Sequence, residues 1–143
     1  MKFKYLLLIL PALFSSVAQS QNTNPIVGTW IGTSNSAVIG SGLHHPGNNA
    51  EKTDIKFKKN EYTMVINTID GRNFSGTISS KNHKELVAGA FKKDLKSGVI
   101  VNENGSATFE LTTANVMELC FTQATPKLIA IPNVASCFEF QKQ

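Results

Sequence analysis

The stretch Glu61–Ser80 reads EYTMVINTIDGRNFSGTISS, and its pattern decides the fold. Tyr62, Met64 and Ile66 recur at every second position, as do Phe74, Gly76 and Ile78 further on. Ser75, Thr77 and Ser79 fill the alternate places. Successive side chains on a β-strand point to opposite faces, so each half reads as a strand with one apolar face. Asp70-Gly71 sits between the halves, and a glycine there accepts the positive φ that a tight turn needs. The unit is an antiparallel hairpin.

The same grammar extends in both directions. Ile26–Thr33 reads as a strand, which Ser36–Gly40 continues beyond a Ser34-Asn35 turn. Gly40–Asn49 is the one long Gly/Pro/Asn loop. Thr53–Lys59 sets Ile55 and Phe57 against Lys56 and Lys58, and Lys59-Asn60 is expected to turn the chain into the hairpin. Further strands are expected over Lys84–Lys92, Gly98–Asn102, Ala107–Thr113, Val116–Thr122 and Val134–Gln141, with a second tight hairpin at Asn104-Gly105. Eight to ten short strands at turn-punctuated spacing predict an all-β fold. Because the hairpins follow one another as a meander, a single antiparallel up-and-down barrel of about eight strands is preferred over a sandwich. Such closure leaves no exposed edge.

The N-terminus reads as an export signal. Lys2 and Lys4 precede the apolar run Leu6–Phe14, and the small residues Ser16, Ala18 and Ser20 suit a signal peptidase site. The run is well short of the roughly 20 residues that span a bilayer. The expected organisation is a signal peptide over 1–20, a flexible lead-in over 21–25 and one barrel domain over 26–143. Roughly 120 residues suffice for one core without metal staples. Removal of Lys2 and Lys4 leaves 12 basic against 10 acidic side chains, scattered rather than striped. The clusters Lys56, Lys58, Lys59 and Lys92, Lys93, Lys96 read as solvated strand faces, not as a nucleic-acid surface. The expected location is periplasmic or secreted.

Two cysteines, Cys120 and Cys137, are expected to form a disulfide in an oxidising compartment. If they face each other on neighbouring antiparallel strands, Leu119 falls opposite Phe138 and Met117 opposite Phe140. Both pairs are apolar and lie on the face away from the cysteines, which makes the disulfide an outward staple. The same register sets Glu118 opposite Glu139, a mildly unfavourable pairing.

Few residues carry recognisable chemistry. The Glu118/Glu139 pair would lie on a convex exterior with no cleft, which argues against a glycosidase dyad. His44-His45 in the long loop lack a preorganised third ligand, and His83 is distant in sequence, so no metal site is expected. No Gly-x-Ser-x-Gly elbow, phosphate-cradling loop or dinucleotide fingerprint occurs. Catalytic residues and cofactors are therefore expected to be absent. What remains is the barrel interior, where Trp30, Tyr62, Phe74, Phe91 and Phe109 supply aromatic surface for a small ligand.

Gly28-Thr29-Trp30 resembles the first strand of the calycin barrels, in which lipocalins open on Gly-x-Trp and avidin-like proteins on Gly-Thr-Trp. Asp70–Ile78 is similar to a later avidin segment. Small periplasmic inhibitors of secreted metalloproteases share the barrel, a Gly-x-Trp strand and one disulfide. The resemblance covers two short stretches and lacks a convincing set of biotin contacts. It implies a non-enzymatic exported protein that binds a small, partly apolar ligand. The alternative it implies is an inhibitor or interaction module, working on a protein partner through residues 21–25 or the 40–49 loop. Neither nucleic acid nor, after signal removal, a membrane is an expected partner.

Overall fold

In the computed structural model, described over residues 25–40, 55–124 and 133–143, eight antiparallel strands close into a barrel in simple chain order. They are β1 (Gly28–Ile39), β2 (Ile55–Asp70), β3 (Asn73–Ser80), β4 (His83–Phe91), β5 (Ser97–Val101), β6 (Ser106–Thr113), β7 (Val116–Gln123) and β8 (Asn133–Lys142). Each strand pairs with its successor, and β8 returns to β1. The meander expected from the hairpin signals is the observed topology. Gly71 takes its predicted positive φ of 58° at the β2–β3 turn, and residues 102–105 form the second tight hairpin, between β5 and β6.

The β7–β8 register follows the cysteine constraint. Cys120 lies opposite Cys137, Leu119 opposite Phe138, Met117 opposite Phe140 and Glu118 opposite Glu139. The two cysteines form a disulfide on the outer surface, with a Cα–Cα separation of 4.1 Å. Leu119, Phe138, Met117 and Phe140 are all buried behind it.

Two expected turns are absent. β1 runs unbroken through Ser34-Asn35, and β2 runs unbroken through Lys59-Asn60 for 16 residues, the two strands pairing continuously from Gly28↔Ile66 to Ile39↔Ile55. The physical reason is that polar residues here face inward. Ser34 is fully buried, and its hydroxyl accepts a hydrogen bond from that of Ser36 at 3.2 Å. The Ser36 hydroxyl in turn accepts one from Ser136 at 2.6 Å. With no break in β2, alternation places Lys56, Lys58 and Asn60 on the same side as Tyr62, Met64 and Ile66. Lys58 thus reaches the barrel interior rather than an outer solvated face, while Phe57 points outward and is 83% exposed.

Packing divides the barrel lengthwise. At the end where β2 turns into β3, the rings of Phe74, Phe91 and Phe109 meet in a triangle with centroids 5.3–5.5 Å apart. Phe140 stacks on Phe138 at 5.5 Å. Inward glycines make room for these rings: Phe74 lies opposite Gly89, Phe109 opposite Gly98 and Phe140 opposite Gly32. A Cβ on any of the three glycines would overlap the facing ring. Trp30 seals the end. Its indole N–H donates to the Ile26 carbonyl at 2.8 Å, and Lys142 lies over the ring at 5.6 Å while donating to the Pro25 carbonyl.

Candidate functional site

Toward the other end, the inner face changes chemistry and the packing opens. A cavity of about 1060 Å³ occupies this part of the barrel and opens at its rim. Its apolar walls include Met64, Val87, Ile100, Leu119, Phe121 and Phe138. Tyr62 stands on β2 with its ring edge-on to Phe138, centroids 5.1 Å apart. Its hydroxyl makes no hydrogen bond with any described residue. Burial, and secondarily the charge of Glu85, raise the Tyr62 phenol above its usual value of 10.0, so at neutral pH it remains a hydrogen-bond donor.

The cavity has two polar walls. One is the hydroxyl chain of Ser36 and Ser136, backed by Ser34. The other is built on β4 and the β5–β6 turn. His83 and Glu85 are two residues apart on β4, so both face the barrel side of the strand. The Glu85 side chain is only 9% exposed, whereas that of His83 is 43% exposed. The Asn102 side-chain oxygen accepts the backbone N–H groups of Asn104 at 3.0 Å and Gly105 at 2.9 Å. This Asx-type turn leaves the Asn102 amide group free to donate to Glu85 Oε2. Asn104 donates to Glu85 Oε1 at 2.5 Å, and His83 Nε2 contacts the same oxygen. One carboxylate is thus held in a fixed orientation by two neutral amides and one imidazole. Glu103 lies in the same turn, and one ligating atom from each of His83, Glu85 and Glu103 lies within 4.8 Å of the others.

Of the five aromatic residues named from the sequence, Tyr62 lines the cavity. Trp30, Phe74, Phe91 and Phe109 are 0–4% exposed and pack together at the filled end. At about 1060 Å³ the cavity stands at the upper end of the roughly 300–1,000 Å³ range of small-molecule pockets. Glu118 and Glu139 are exposed on the outer face, as their register requires. His44 and His45 lie outside the described residues, as do the 40–49 loop except Gly40, the lead-in except Pro25, and the whole of 1–20.

Glu85, His83, Asn102 and Asn104 were not singled out from the sequence as a group. A signal existed in His83-x-Glu85, because two polar residues at i and i+2 of a strand share one face. Asn102, read as the end of a strand, and Asn104, read as part of a turn with Gly105, carry the two carboxamides that reach back to β4.

No known family profile matches the sequence, and no curated protein matches it. Among solved structures, the chain is similar to an S-type phycobiliprotein lyase from Guillardia theta. The TM-score is 0.39 and the identity 12%, over 84% of this chain and 89% of that one.

Proposed function

We propose that this is an exported, non-enzymatic binding protein that holds a small, partly apolar molecule in the open half of its barrel. The observation that carries the reading is the cavity of about 1060 Å³, whose apolar walls meet convergent polar groups. That combination is characteristic of small-molecule sites. Met64, Leu119 and Phe138 offer apolar contact, while the Tyr62 hydroxyl and the Glu85 carboxylate offer a donor and an acceptor. Trp30, Phe74, Phe91 and Phe109 act in this reading as the rigid floor that keeps the cavity from collapsing. The Lys2-to-Ser20 signal pattern and the disulfide support export. The Gly28-Thr29-Trp30 opening is in keeping with a calycin-like carrier.

The test is native mass spectrometry of the gently purified protein beside a denaturing run, followed by titration with an environment-sensitive apolar dye. The expected result is a bound mass lost on denaturation, or a dye that binds one per chain. Ala107 is 5% exposed and lines the cavity, so Ala107→Trp is expected to block either one. A protein that carries nothing, and whose dye binding Ala107→Trp leaves unchanged, would overturn the reading.

A further inference from the structure

Glu85 poses a question that a carrier for apolar molecules leaves unanswered. Its side chain is 9% exposed, and buried carboxylates are ordinarily paired with a cation or bound to a metal. No lysine or arginine among the described residues bonds it. Its partners are Asn102, Asn104 and His83. The two carboxamides hold it in one orientation, as the outer partners of metal-binding carboxylates do. Beside it, the exposed groups His83 and Glu103 bring one imidazole nitrogen and one further carboxylate oxygen to within 4.8 Å.

We propose that His83, Glu85 and Glu103 bind one zinc-type divalent transition ion at the rim of the cavity. The donor set decides the class of ion. Imidazole with two carboxylates suits zinc and its first-row neighbours, whereas calcium and magnesium favour an all-oxygen shell. An ion at ordinary ligand distances, about 2.0–2.2 Å, would take the place of the direct contact between His83 Nε2 and Glu85 Oε1. Three protein ligands leave a fourth position for water or for a donor atom of a molecule in the cavity, whose lining includes both His83 and Glu85. The assignment does not depend on the cavity being used by an organic ligand. Zinc alone is the probe.

The experiment is equilibrium dialysis of the chelator-stripped full protein against Zn²⁺, with bound metal counted by elemental analysis. One zinc per chain is expected. His83→Ala and Glu103→Gln, both at exposed positions, should each weaken binding at least about tenfold without lowering the melting temperature. Asn102→Ala should weaken it by about 10–100-fold, the usual effect of an outer-shell loss. The control is the double variant His44→Ala/His45→Ala, because adjacent histidines elsewhere in the chain could capture zinc adventitiously. It should retain full binding. The proposal is overturned by a wild-type protein that takes up no zinc, by undiminished binding in His83→Ala, or by loss in the His44/His45 variant. Displacement by an equal concentration of Ca²⁺ would overturn the choice of ion.

Discussion

The two halves of the barrel are built from the same eight strands and hold together in different ways. The half around the β2–β3 turn is filled by large apolar side chains. Trp30, Met117 and Phe140 are 0% exposed, and rings rest on glycines of the neighbouring strand. The half around the β5–β6 turn has serines, amides, a carboxylate and lysines on the inner face, and a cavity where the rings would be. Its reinforcement is of another kind: the Cys120–Cys137 disulfide, the serine hydroxyl chain and the amides on Glu85. Burial of apolar surface stabilises the filled half at about 25 cal/mol per Å², and that stabilisation offsets the cost of keeping polar groups on the inner face of the open half.

The largest test of the contrast is truncation of a ring in each half. Phe140→Ala removes a fully buried ring packed on Phe138 and Gly32 and should cost about 3–5 kcal/mol in chemical denaturation. Phe121→Ala removes a half-buried ring that borders the cavity. It should cost less than about half as much, because part of its surroundings is already empty. Equal losses would mean that the open half is as tightly packed as the filled one.

The second test concerns the staple. The Cys120–Cys137 disulfide spans 17 residues of sequence, including the β7–β8 connection. Replacing both cysteines by serine should lower stability by about 3 kcal/mol, the expectation for a loop of about that length. The loss should fall on the open half. Amide exchange should speed up most in β7 and β8 near Phe121 and Ser136, and least around Trp30 and Phe74. Uniform acceleration would show that the two halves unfold as one unit.

The boundary between the halves is also where the sequence ceases to be easy to read. Strand order, the barrel and the β7–β8 register follow from alternation and from two cysteines, because in the filled half the inward positions are apolar or glycine up to Lys142 at the rim, which covers Trp30. Alternation fails at Ser34-Asn35 and Lys59-Asn60, which carry turn-forming residues yet lie inside long strands. Their inner neighbours are Ser34, Ser36, Lys58 and Asn60, and an inner face that is polar has the same pattern as a loop. Phe57 misleads in the opposite sense, being apolar and facing outward. The ambiguous stretches and the cavity therefore coincide, since a polar inner wall both obscures the hydrophobic period and borders the open space. Trp30, Phe74, Phe91 and Phe109 could be recognised as interior residues from the sequence. Which end of the barrel they occupy could not, because that depends on the register of all eight strands at once.

The smallest expected effect is an alkaline one, and it asks whether the open half differs from bulk water. Tyr5 and Tyr62 are the two tyrosines of the chain, so in a Tyr5→Phe variant the phenolate absorbance reports on Tyr62 alone. Burial is the larger cause of its raised pKa and the Glu85 charge the smaller. Folded protein should therefore titrate above the denatured chain, which loses its proton near 10. The sign follows from linkage. Between the two values the unfolded chain binds fewer protons than the folded one, so stability is unaffected below about pH 10 and falls as pH rises toward the folded pKa. Glu85→Gln should bring the folded titration part of the way down and leave the contribution of burial in place. A ligand seated against Tyr62 should move it further up by excluding the remaining water. Identical titrations of folded and denatured protein would mean that Tyr62 is as solvated as a free phenol, and the division of the barrel into a filled half and a sheltered cavity would not stand.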